Sequence, residues 1–179
     1  MANIQSIIPF IKKWAGGFQN DPNDKANYTK DGTLVGTYCD ISASFYESFF
    51  DETPTEEDLK NISDEKFGKV LENFATSVHF DEINNDSVAL IIFDWVWASG
   101  LYYPTKHIQS ILGITSDGAF GKMTVSVINS FEDQQDLFNK LKQARLDYVD
   151  ALIEEKPSLV EFEKGWKNRI NDINYIETI

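Results

Sequence analysis

Apolar residues recur at three- and four-residue spacings at the start of the chain: Ile4, Ile7, Ile8, Ile11 and Trp14. That spacing predicts one face of a helix over residues 4–15, ended by Gly16-Gly17. Ala15 falls four residues after Ile11, on the apolar side, where a small packing residue is the ordinary reading. Residues 18–40 are rich in Asn, Asp, Gly, Thr and Lys and read as an irregular loop with short strands around residues 33–35. A polar connector with Pro54 fills residues 51–60, where Thr55 and Asp58 have the spacing of a capping box. Ser63 can cap the next helix, whose apolar set is Phe67, Val70, Leu71 and Phe74.

Residues 87–99 are apolar nearly all round, which predicts a central, buried helix stopped by Gly100. Two short helices follow, over 104–112 and 121–129, joined through Gly113 and an Asp117-Gly118 turn. A long helix is predicted over 133–154, with Leu137, Leu141, Ala144, Tyr148 and Leu152 in register. Pro157 suits the first turn of a last helix with the face Leu159, Phe162, Trp166, Ile170 and Ile173. The pattern contains no internal repeat and predicts a mainly α-helical fold.

Composition narrows the function more than the fold. A chain of 179 residues suits one domain, or one domain with a small appended subdomain. No apolar run reaches the roughly 18 residues of a membrane span. The first residues show no basic region before an apolar core, so the expectation is cytoplasmic synthesis without a signal peptide. A single cysteine, Cys39, leaves no intrachain disulfide. The net charge of −13 argues against nucleic acid as a partner and weighs mildly against unspecific adhesion to anionic cell walls. His79 and His107 stand apart from each other and from the cysteine, without metal-ligand spacing, and read as surface or boundary residues. No metal or cofactor is expected.

The run Lys12-Lys13-Trp14-Ala15-Gly16-Gly17-Phe18-Gln19-Asn20-Asp21-Pro22-Asn23-Asp24 resembles the opening of the family 108 glycoside hydrolases, which are N-acetylmuramidases of bacteria and phages. In that family the run reads E-G-G-(F/Y)-x-x-D-P-x-D, and its Glu is the catalytic acid; Ala15 stands at that position. The resemblance continues through Phe93-Asp94 to Gly100, similar to an F-D-x-x-x-x-x-G helix. Ile108-Gln109-Ser110-Ile111-Leu112-Gly113 and Asp117-Gly118-Ala119-Phe120-Gly121-Lys122-Met123-Thr124 resemble the family's peptidoglycan-binding segment. Arg145, Tyr148, Phe162, Gly165, Trp166 and Arg169 resemble its closing pattern. The resemblance implies a lysozyme-like helical domain over 1–100, with a small peptidoglycan-binding-like helical subdomain over 101–179 packed on it as a single compact unit. The departures cluster in the N-terminal half. Ala26 and Asn27 stand for a glycine pair, Lys30 for an Asn, and Phe74-Ala75 for a Tyr-Trp pair, while Thr29 and Gly32 match.

Glycoside hydrolysis needs a carboxyl to protonate the leaving oxygen, which alanine lacks. A relocated acid would have to come from Asp21, Asp24, Asp31 or Asp94. Asp21 and Asp24 also read as loop-organising Asx residues beside Pro22, and Asp31 before Gly32 as a turn residue. Asp94, in so apolar a helix, also reads as the partner of Arg145 or Arg169. The resemblance implies wall contacts from Thr29, Gln109, Asp117, Gly118 and Thr124, although a turn and a helix start explain Asp117-Gly118 as well. Trp95, Trp97 and Trp166 could stack on sugars, but their helical spacing favours packing. Three functions remain in view. The first is a catalytically degenerate muramidase-like module that binds the wall or builds a phage virion, tail or baseplate. The others are an active muramidase acting as an endolysin, and an acidic interaction protein.

Overall fold

A computed structural model of the chain describes residues 2–177. Its described residues form nine α-helices and one two-stranded sheet, so the fold is mainly α. The chain divides into two compact units, one over Gln5–Leu71 and the other from Glu72 onward together with the residues up to Ile4.

In the first unit, α1 (Ile4–Trp14) buries Ile7, Ile8 and Ile11, the stripe that the spacing predicts. Strand pairing lies later than the predicted residues 33–35. The strands are β1 (Thr37–Tyr38) and β2 (Ile41–Ser42), antiparallel, with Tyr38 opposite Ile41. Leu34 makes only an isolated bridge to Tyr28. The reason is local: the amides of Val35 and Gly36 both donate to the Asn27 carbonyl, and Gly36 turns at φ +135°, so no ladder forms there. Cys39 and Asp40 join the strands with φ of 50° and 63°, the two left-handed residues of a tight hairpin turn.

Helix α2 (Ala43–Phe50) follows, capped by Ser42, whose hydroxyl accepts from the Phe45 amide. It spans only eight residues, and it buries Glu47 while leaving Phe45 exposed, so its sequence pattern does not announce its buried side. The capping box at Thr55 and Asp58 is present and opens α3 (Glu56–Lys60). The Ser63 hydroxyl accepts from the Lys66 amide at the start of α4 (Asp64–Ala75).

The second unit is built on α5 (Asp86–Ser99), with Val88, Ala89, Ile91, Ile92, Phe93, Trp95 and Val96 all buried. Asn85 caps it, its side-chain oxygen accepting from the Ser87 and Val88 amides at 3.0 Å. Helices α6 (Tyr102–Ile111) and α8 (Gln134–Glu155) pack on α5, and α9 (Val160–Asp172) packs on α8. Between them, α7 covers Lys122–Ser130. The end of the chain departs from expectation. Pro157 opens a short 3-10 turn before α9 begins, and of the predicted face only Ile170 and Ile173 are buried. Phe162 is 49% exposed and stacks on half-buried Trp166, because the first half of α9 carries Glu161, Glu163 and Lys164 around it.

Candidate functional site

Position 15 sits where α1 ends. The Ala15 amide still donates to the Ile11 carbonyl at 2.8 Å, and the Gly16 carbonyl accepts from the Cys39 amide at the hairpin. Half-buried and apolar, the Ala15 side chain brings no acid here. The loop that follows is organised around two amides. Asn27, fully buried, donates to the Gln19 side-chain oxygen at 2.8 Å and to the Asp21 carbonyl at 2.9 Å. Its own side-chain oxygen accepts from Gln19 at 3.1 Å and from the Thr37 hydroxyl at 2.7 Å. Ala26 and Asn27 lie in a 3-10 turn (Lys25–Asn27), a conformation that does not require glycine. Gly32, which matches the family, does adopt the left-handed region, at φ +86°.

Each candidate acid of this region is engaged in holding the loop. The Asp21 carboxylate accepts from the Asn23 backbone and side chain at 2.8 and 2.9 Å. Asp24 caps the 3-10 turn through the Ala26 amide at 3.0 Å and accepts from Gln19. Asp31 accepts from the Thr29 hydroxyl at 2.6 Å and the Thr33 amide at 3.1 Å. Those bonds, the Thr29 hydroxyl first, hold its carboxyl below the ordinary range. Buried Thr29 therefore serves the turn, donating to Asp31 and contacting the Thr33 carbonyl.

Sequence reading passed over one carboxylate, Glu47. It is buried in α2, and its two oxygens accept from the Lys30 amide at 2.6 Å and the Thr53 hydroxyl at 3.1 Å. Its signal was hidden with α2 itself. Cys39 is buried, and that burial pushes its thiol upward.

Asp94 belongs to the other unit. It is fully buried in α5 and held by both candidate cations. Arg169 meets it in a fork, Nη2 to Oδ1 at 2.6 Å and Nε to the two oxygens at 3.0 and 3.1 Å. Arg145 Nη1 lies 2.6 Å from Oδ2. Burial pushes the Arg145 guanidinium down from its ordinary value, with Asp94 opposing the shift. Phe74 and Ala75, which the resemblance sets against the family's Tyr-Trp pair, are packed: Phe74 lies edge-on to Phe93 and Trp97, and Ala75 is buried.

Gln109, Asp117, Gly118 and Thr124 come together in one cluster. The buried Gln109 amide donates to Asp117 Oδ1 at 2.7 Å and to the Ala119 carbonyl at 3.1 Å, and lies 3.5 Å from the Thr124 hydroxyl. Its oxygen accepts from the Gly118 amide at 2.9 Å, and Asp117 also accepts from the Ala119 amide. The Ala119 amide, then Gln109, hold the Asp117 carboxyl below its ordinary range. Outside this staple stand Tyr102 and Tyr103, which the sequence reading did not single out. Trp95 is fully buried, against the ring of exposed His107 and beside Tyr148, and Trp97 is half-buried. His79 pairs with Glu82 at 2.9 Å. Among the described residues no group of three or more His, Cys, Asp or Glu side chains is placed to hold a metal ion.

The family model for glycosyl hydrolase 108 matches residues 8–100, more than half of the chain. The chain belongs to that family. A second family model, described as a predicted peptidoglycan domain, matches residues 103–171 of this glycosyl hydrolase 108 protein. Among solved structures, the Brucella abortus protein SagA is similar in fold, with a TM-score of 0.69 at 20% identity over 95% of this chain and 90% of that one. No curated protein matches the sequence. The protein is thus a lysozyme-like, mainly helical member of a glycoside hydrolase family with a peptidoglycan-related C-terminal segment.

Proposed function

We propose that this glycosyl hydrolase 108 protein acts at the bacterial cell wall as a binding or structural module that does not cleave the glycan. In this reading residues 1–100 are the muramidase-like region and residues 101–179 the peptidoglycan-binding-like region. One observation carries it: around Ala15, which the resemblance sets at the catalytic position, Asp21, Asp24, Asp31 and Glu47 are each committed to backbone or side-chain partners. A general acid must be free to hold and release a proton at the leaving oxygen. Asp21, Asp24, Asp31 and Glu47 are held as acceptors, and Asp94 is enclosed by two guanidiniums. The setting we propose is a phage virion, tail or baseplate, where a wall-directed module needs no hydrolysis of its own.

Purified peptidoglycan tests the reading. The protein is expected to sediment with the wall while releasing reducing sugar at least about 100-fold more slowly than an active family member, the usual cost of a missing general acid. Release at a comparable rate would establish an active muramidase with a relocated acid. Failure to sediment, together with capture of a basic partner, would favour an acidic interaction protein.

A further inference from the structure

We propose that Tyr102 and Tyr103, with Lys106 one turn further along α6, form a platform for an N-acetylated amino-sugar ring of the wall glycan that bears a neighbouring carboxylate. The inference rests on the wall-directed reading and gives it a binding surface. Tyr102 and Tyr103 are 53% and 63% exposed. Adjacent aromatic rings left in water mark a binding surface more often than a lone apolar residue does.

The rings are held in place. Tyr102 and Tyr103 meet edge to face, with centroids 5.3 Å apart. Tyr102 lies close against Gly118, where a Cβ would come within 2.5 and 2.6 Å of two of its ring carbons. Gly118 is itself fixed by Gln109 through its amide, at φ +80°. The Gln109 staple therefore acts by positioning, shaping the loop against which Tyr102 rests. A ring that is already ordered loses little freedom when a ligand stacks on it.

The chemistry of the patch selects the ligand. A pyranose ring has an apolar C–H face and a polar rim, matching tyrosines with a flat face and a hydroxyl at the tip. Lys106 adds charge, with its Nζ 5.5 Å from the Tyr102 centroid and no carboxylate partner among the described residues. In a chain of net charge −13 it puts a cation beside an exposed aromatic ring. It fits the carboxylate that muramic acid and its peptide stem place beside the ring.

Calorimetric titration of the full chain with muramyl disaccharide and with an N-acetylglucosamine oligomer tests this, beside sedimentation with purified wall. Tyr103→Ala is expected to weaken both ligands about tenfold, and Tyr103→Phe, which keeps the ring and loses only the hydroxyl, to retain most of the affinity. Lys106→Gln is expected to weaken only the muramyl ligand, several-fold, and to remove its salt dependence. Thermal unfolding controls for folding, and Tyr103 is too exposed for its loss to disturb the core. If the unmodified chain binds wall and ligands while all three variants match it, the platform is refuted and the wall-directed reading stands. If the unmodified chain does not bind wall at all, both fall.

Discussion

Asp94 shows at the scale of one residue how a carboxylate can persist in an apolar helix. It faces two guanidiniums; Asp94 is fully buried and the two arginine side chains are nearly so. Removing one member of such a cluster leaves uncompensated charge in the core. Asp94→Ala is expected to lose roughly 3–5 kcal/mol in urea unfolding, against about 1 kcal/mol for an ordinary surface change. A loss of that smaller size would mean that the arginines find solvent easily.

Ala15→Glu by itself is expected to leave wall lysis well below that of an active family member, because positioning contributes as much as the acid. The fuller reversion, with Gly at 26 and 27, Asn at 30 and Trp at 75, is expected to unfold at lower temperature. Asn27→Gly removes the hub that binds Gln19, Asp21 and Thr37, and Ala75→Trp overfills a buried position. Lysis and melting of both variants decide this, and full lysis by the single change would mark Ala15 as the only defect. The Asp94 pairing was legible in the sequence because a charge inside an apolar run demands a cation. The role of Asn27 was not, since an amide whose four bonds go to three residues six to ten positions away leaves no periodic trace.

Among the elements, those with a stripe or a cap were readable: α1, α4, α5, α8 and the capping box at Thr55 all lie within a few residues of where the pattern puts them. Helix α2 and the hairpin were not, because the first is only eight residues long and buries a carboxylate while exposing Phe45, and the second is only two residues long on each side. The C-terminal staple makes a prediction at this scale. Gln109→Ala is expected to speed hydrogen exchange at the Gly118 and Ala119 amides, and unchanged exchange would show that the turn holds itself. Asp117 has a depressed pKa in the folded state. Its contribution is therefore present above the ordinary carboxylate range and is lost as pH falls through the lower folded value. Protection at Ala119 should hold at pH 5 and fade only in stronger acid, a trend that exchange rates across that range will check.

For the molecule as a whole, charge governs behaviour in solution. At neutral pH the net −13 keeps copies apart, and near the sequence pI of about 4.5 that repulsion vanishes. Light scattering across pH is expected to show a solubility minimum there, and a minimum elsewhere would mean that titration in the fold shifts the charge balance. The single thiol should be silent in the same native state. Burial raises the Cys39 pKa and shields the sulfur, so thiol reagents are expected to label it slowly until urea is added. Rapid labelling of the native chain would mean that the hairpin opens readily.

The fork that Arg169 places on Asp94 also bears on how the chain is born. During synthesis Asp94 leaves the ribosome long before residue 169 is made, and for that interval the core helix carries an anion without its second counter-charge. Helix α9 is thus the later-made of the two elements that set a guanidinium on Asp94. A message truncated between codons 145 and 169 would yield a chain whose central helix is complete in sequence yet whose Asp94 has Arg145 and lacks the Arg169 fork, and the cell's quality-control proteases would meet it in that form.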